Sequence, residues 1–133
     1  MTNITVGSKL PTLTLPPISR TTLALYAGAS GDHNPIHIDS DFAKKAGMPD
    51  VFAQGMLSMA YLGRLLTNWQ PQSKLRKFGN KFSAITHLQD VITCSGEVVE
   101  LLVINDEQCA LIAIEACKQD GTKTLVGEAL VAI

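Results

Sequence analysis

Hydrophobic positions change their period once along this chain. From about residue 19 to residue 70 they recur at helical spacing, and from Leu75 onward they recur at every second residue. Leu23, Tyr26 and Ala27 mark one face of a first helix running to about Ala29, with Ser19 as its N-cap. Gly28 and Gly31 weaken and then end it. Asp39 or Ser40 caps a short second helix, Asp41 to Ala46, stopped by Gly47 with Pro49 beyond it. Val51 to Trp69 is the most apolar helix candidate. Its residues Met56, Leu57, Met59, Ala60, Tyr61, Leu62, Leu65 and Leu66 point in nearly every direction, which predicts a buried central helix. Gly55, Ala60 and Gly63 would let a sheet approach that helix closely.

The second half reads as strands. Phe78, Phe82 and Ala84 recur at even spacing, as do Val99, Leu101 and Val103, then Ala110, Ile112, Ile114 and Ala116. A last run, Leu125 to Ile133, follows a turn containing Gly121. Four long strands in succession predict an antiparallel sheet. Residues 1 to 18, with Gly7, Pro11, Pro16 and Pro17, read as an irregular arm with a short strand or two. Helices first and strands after, without βαβ alternation, give an α+β fold in which a sheet wraps one buried helix. A chain of 133 residues has room for one such domain, spanning 1–133.

Composition narrows the function classes. A formal net charge of −1 gives no footing for nucleic acid or for an acidic membrane surface. The small basic cluster Lys74, Arg76, Lys77 and Lys81 reads as a solvated strand edge, with a docking patch for a phosphorylated ligand as the alternative. Cys94, Cys109 and Cys117 have no ligand-like spacing and read as reduced core residues of a cytoplasmic protein. The N-terminus lacks a basic region followed by an apolar stretch, so no signal peptide is expected. Gln54 and Arg64 interrupt the longest apolar run, so no membrane span is expected either.

The candidate chemistry lies in Gly31-Asp32-His33-Asn34-Pro35-Ile36-His37, which gathers a carboxylate, two imidazoles and an amide. Gly31 and Pro35 keep the segment from continuing a helix, and Asn34 is pushed toward an extended or turn conformation by the proline after it. Three readings compete. A metal site on Asp32, His33 and His37 is disfavoured, because histidines four apart align only on a helix and Pro35 forbids one. An ordinary loop would make Asp32 a turn residue. The third reading is general acid/base catalysis by Asp32 and His37. It is favoured by Gln54-Gly55-Met56 at the expected start of the central helix, where unpaired amides and the helix dipole suit an oxyanion. An acid/base pair beside an oxyanion donor is the equipment for proton transfer next to a carbonyl.

The ordered set Tyr26-x-x-x-Ser30-Gly31-Asp32-His33-Asn34-Pro35-Ile36-His37-x-Asp39, then Phe42-Ala43 and Ala53-Gln54-Gly55-Met56-Leu57, closely resembles the MaoC-like (R)-specific enoyl-CoA hydratase family. The resemblance covers residues 1 to about 85 well and the later strands only in pattern. It implies a hotdog fold, a long helix wrapped by an antiparallel sheet, usually paired as a homodimer. It implies that Asp32 and His37 hold and activate a water that adds to C3 of a trans-2-enoyl thioester, with a proton delivered to C2. The product would be an (R)-3-hydroxyacyl thioester, and dehydration the reverse. Gly55 would steady the thioester oxygen through its amide, and Asn34, Gln54 and Met56 would support the pocket. No cofactor is implied, and the partner would be an acyl-CoA or acyl-carrier-protein thioester.

This sequence departs from the family pattern in places. Gln54 stands where histidine is frequent, Gly63 where some members carry serine, and Ile85-Thr86 and Gln89-Asp90 where a Pro and a Gly-Asp turn are usual. His33 and His87 are expected to be structural or solvent-facing. Two rival uses of the fold stay open: an acyl-thioester hydrolase, and a non-catalytic thioester-binding subunit of a heteromeric dehydratase.

Overall fold

A computed structural model describes residues 3–133. Strand β1 (Leu13–Thr14) is followed by helices α1 (Arg20–Ser30), α2 (Ser40–Lys45) and α3 (Gly55–Trp69). Then come β2 (Leu75–Phe82), β3 (Thr93–Ile104), β4 (Glu107–Cys117) and β5 (Lys123–Ala132). The five strands form one antiparallel sheet in the order β1-β3-β4-β5-β2, packed against α3. This is the expected α+β hotdog arrangement. Its edges are the very short β1 and the longer β2.

Local chemistry sets the helix ends. Ser19 caps α1 by accepting from the Thr22 N–H at 3.1 Å. Gly31, at φ +78°, closes the helix in the left-handed conformation that glycine adopts without a Cβ penalty. Asp39 Oδ1 caps α2 by accepting from Asp41 and Phe42. In the β3–β4 hairpin, Asn105 and Asp106 both take positive φ, the two-residue turn whose twist matches that of the flanking strands.

The central helix is less deeply enclosed than its sequence predicts, and it begins at Gly55. Leu57, Ser58, Leu62, Leu65 and Leu66 are buried, while Met56, Ala60, Arg64 and Thr67 form an exposed stripe. The sheet covers one side of α3 only, so Ala60 faces away from it. Gly63 does face the sheet: a Cβ there would meet the Phe78 ring at 3.6 Å. The buried side joins Ile92, Cys94, Val98, Ala110, Ile112, Ile114, Ala116 and Leu125 in the main core.

Strand β3 forms where the alternation predicts a strand, but its faces switch part-way along. Cys94, Gly96 and Val98 turn inward, and a register shift between Val98 and Glu100 then upsets the alternation. Beyond it, Leu102 and Ile104 pack with Cys109, Leu111, Leu130 and Ala132 in a satellite cluster, leaving Val99, Leu101 and Val103 exposed. Ala84 lies outside β2. Cys94 and Cys109 are buried and Cys117 only half-buried, all three free thiols. Burial pushes the Cys94 thiol up to about 12. Arg76, from the basic cluster, is engaged with Glu107 at 2.7 and 2.8 Å. No helix among the described residues is long and apolar enough to cross a membrane.

Candidate active site

The loop between α1 and α2 is shaped by its own short polar side chains. Ser30 Oγ accepts from the Asp32 N–H at 3.1 Å, and Asp32 Oδ1 accepts from the Asn34 N–H at 3.3 Å. Asn34 Oδ1 accepts from the Ile36 N–H at 3.1 Å and so caps a 3₁₀ turn, Pro35–His37. Bonds of this kind are why Ser, Asp and Asn favour turns. The turn swings His37 back toward Asp32, leaving Asp32 Oδ2 3.9 Å from His37 Nε2, too far for a direct hydrogen bond. The His37 side chain is only 11% exposed, whereas that of Asp32 is 44% exposed.

His37 is anchored from its other nitrogen. Nδ1 lies 2.7 Å from the Phe52 carbonyl oxygen. A carbonyl can only accept, so Nδ1 carries the hydrogen and the neutral ring keeps its lone pair on Nε2, the nitrogen facing Asp32. The Phe52 ring meets the imidazole edge-on at a centroid distance of 5.0 Å. Phe52 in turn pairs with His87 in an isolated antiparallel bridge, and the Ala53 N–H donates to the Thr86 carbonyl at 2.9 Å.

Three residues after Phe52, α3 begins. Gly55 heads the helix, so its N–H has no carbonyl a turn earlier to bond. A Cβ at this position would stand 3.0 Å from Phe82 Cε1, because the Phe82 ring lies against the glycine. A cleft of about 390 Å³ opens there, lined by Phe52, Gly55, Ser58, Phe82, Ile85 and Thr86 among others. Ser58 and Thr86, both buried, hold their hydroxyls 3.4 Å apart. Asp32 and His37 do not line this cleft; Phe52 links the two, lining the cleft while its carbonyl holds His37.

The remaining sequence candidates fall in different places. Asn34 shapes the loop through its Oδ1. Gln54 is buried, and its Nε2 donates to the Leu23 carbonyl at 3.1 Å, tying the start of α3 to α1. Its Oε1 is buried with no partner among the described residues. Met56 is 53% exposed and lies outside the lining of the cleft. His33 is exposed. Burial, and then the nearby Asp32 carboxylate, raise the Tyr26 phenol above its ordinary value. Among the described residues no three His, Cys, Asp or Glu side chains converge as metal ligands. Sequence reasoning missed the Phe52 carbonyl, which as a backbone group leaves no residue signature. It also missed Phe82 and Thr86 as site residues, since only the fold brings them to Gly55.

With this geometry in view, comparison with known proteins is decisive for the family. The profile described as "MaoC like domain" matches residues 4–117. The chain belongs to the MaoC-like dehydratase family. It is 30% identical over 129 residues to the fatty acid synthase subunit beta of Saccharomyces cerevisiae, covering 95% of this chain but only 6% of that subunit. It is 28% identical over 118 residues to the (R)-specific enoyl-CoA hydratase of Rhodospirillum rubrum, covering 87% of this chain and 80% of the relative. Among solved structures, the (R)-hydratase from A. caviae matches with a TM-score of 0.84 at 25% identity, over 98% of each chain. The MaoC-like family is thus one of hydratases and dehydratases of fatty-acid metabolism, and this chain shares its hotdog fold.

Proposed function

We propose that this MaoC-like chain, acting as one domain, adds water to trans-2-enoyl thioesters to give (R)-3-hydroxyacyl thioesters, or runs the reverse dehydration. The observation that carries this reading is the Asp32–His37 pair, with Oδ2 3.9 Å from Nε2 and Nδ1 committed to Phe52. A water about 2.8 Å from both atoms would sit off their line at an angle of about 90°, donating one hydrogen to each. Its oxygen lone pairs then face outward to attack C3. One member of the pair takes one water proton as the oxygen bonds to C3 and then passes that proton to C2; the other water hydrogen stays on the new hydroxyl, and the pair returns to its starting protonation state. The Gly55 amide steadies the negative charge that gathers on the thioester oxygen between these events. The (R) outcome is taken from the named relatives: the (R)-hydratase from A. caviae, which shares the fold at 25% identity, and the (R)-specific enoyl-CoA hydratase of Rhodospirillum rubrum at 28% identity. Pairing as a homodimer is part of the proposal, supported by the open outer edge of β2, which carries Phe82 beside Gly55.

The test is loss of the enoyl-thioester absorbance with crotonyl-CoA and a longer trans-2-enoyl-CoA, followed by chiral analysis. Formation of the (R)-3-hydroxyacyl product is expected, and Asp32→Asn and His37→Ala should each lower turnover by orders of magnitude with unchanged circular dichroism. Free thiol without a hydroxy product would mean a thioesterase instead. Full activity in both variants would sink the mechanism.

A further inference from the structure

The segment joining β2 to β3 contains a carboxylate whose bonds lead back to the imidazole. Asp90 is 8% exposed, and its carboxylate accepts from three donors. Oδ2 takes the His87 N–H at 2.7 Å and faces Lys118 Nζ at 3.3 Å, while Oδ1 takes Gln119 Nε2 at 3.0 Å. Gln119 closes the group by accepting from the Val91 N–H at 2.9 Å. The backbone here is equally committed. The Ile18 N–H donates to the Asp90 carbonyl at 3.0 Å, and the Gln89 N–H to the Ile18 carbonyl at 2.7 Å. Gln89 is held at φ +69°, a conformation costly for a residue with a Cβ.

On one side, then, Asp90 is tied to the β4–β5 turn through Lys118 and Gln119. On the other it fixes Thr86-His87, the stretch that pairs with Phe52-Ala53. Phe52 supplies the carbonyl that holds His37 Nδ1. The path from Asp90 to the imidazole therefore runs through two backbone pairings, with no mobile side chain in between until His37 itself. We infer that Asp90 is a positioning residue for His37: it holds the 86–87 segment against Phe52, and thereby keeps the Phe52 carbonyl where it fixes the imidazole tautomer and orientation. Asp90 itself does not line the cleft. The inference rests on the hydratase reading for its effect on turnover, but not for its effect on the ring.

The experiment reads the ring directly. Long-range proton–nitrogen NMR reports which nitrogen of each histidine carries hydrogen, and the chain has three histidines to assign, with His37→Ala identifying the signal of interest. In the native chain His37 should show Nδ1 protonated and Nε2 bare. In Asp90→Ala its nitrogen shifts should move toward a tautomer average, with Asp90→Asn intermediate. With an enoyl thioester that the native chain hydrates, kcat of Asp90→Ala should fall about ten- to a hundredfold while KM changes less than about twofold. Unmoved His37 shifts in Asp90→Ala would overturn the inference whatever the activity. Moved shifts in a chain whose native form hydrates no enoyl thioester would leave the positioning role standing and overturn the hydratase reading alone. Should Asp90→Ala not fold, Asp90→Asn takes its place with the same two outcomes.

Discussion

Gly127 in β5 is the position where the fold tolerates a side chain least. It pairs with Asn80 of β2, and a Cβ there would fall inside the Gly79 carbonyl oxygen and Asn80 Oδ1 and stand 2.7 Å from Asn80 Cα. Carbon atoms in good contact keep about 3.5–4.0 Å, so the shortfall is about 1 Å. Asn80 cannot yield by swinging its side chain alone, because the clashing groups include backbone. Strand β2 would have to retreat from β5 by about that distance, which takes hydrogen bonds of about 2.9 Å out of range. Gly127→Ala should therefore cost about 3 kcal/mol, the upper part of the range for overpacking. At several degrees per kcal/mol this lowers Tm by about 10 °C. Gly79→Ala is the control: it lies on the same strand pair, and a Cβ there meets nothing within 4 Å. Thermal unfolding followed by circular dichroism measures both. A Gly127→Ala variant melting within about 2 °C of the native chain would refute the steric account, and so would equal losses at both sites.

Two further outcomes test the core and the acid response. Leu62→Ala removes a fully buried side chain from the helix–sheet core and should cost about 3–5 kcal/mol in urea titration, while Leu25→Ala, 69% exposed, should stay within about 0.5 kcal/mol. Asp50 accepts from Arg20, then Ser40 and the Val51 N–H, which hold its carboxyl well below the ordinary carboxylate range. A depressed folded pKa gives stability that is present above the unfolded value near 4 and is lost as pH falls toward the folded one. Tm should thus drop on acidification below about pH 4, and Asp50→Asn should show a shallower drop; equal slopes would remove Asp50 from the account.

Much of the fold was legible because burial imposes period on sequence. Ala110, Ile112, Ile114 and Ala116 alternate without interruption and are all buried, since β4 has strands on both sides and the helix beneath. In β3 the alternation of Val99, Leu101 and Val103 marks the strand but not its buried face, because an extra residue at one point reverses the faces of everything after it and no residue type announces that shift. The central helix was read as enclosed because its outer stripe includes Met56 and Ala60, apolar residues that the sheet does not cover. In the candidate site, the Asp32–Asn34–His37 loop was legible because turn-forming side chains bond to neighbours in sequence. What surrounds it was not. The Phe52 carbonyl, the Phe82 ring and the Asp90 clasp reach the site only through pairings distant in the chain, and Gln89-Asp90 looked merely like a departure from a Gly-Asp turn.

The hairpin turn at Asn105-Asp106 also bears on how the chain comes to its native state. Strands β3, β4 and β5 are consecutive neighbours, joined by tight turns, so their contacts are local and close quickly. Among the described residues the strand partner of β2 is β5, at the far end of the chain, so the β2–β5 pairing spans a long stretch of sequence. Phe82 rides on β2, and Thr86, His87 and Asp90 follow directly behind it. Loop-closure cost therefore favours the β3–β4–β5 pairings over the one that brings Phe82, Thr86 and His87 to Phe52, so the cleft depends on the contacts most distant in sequence.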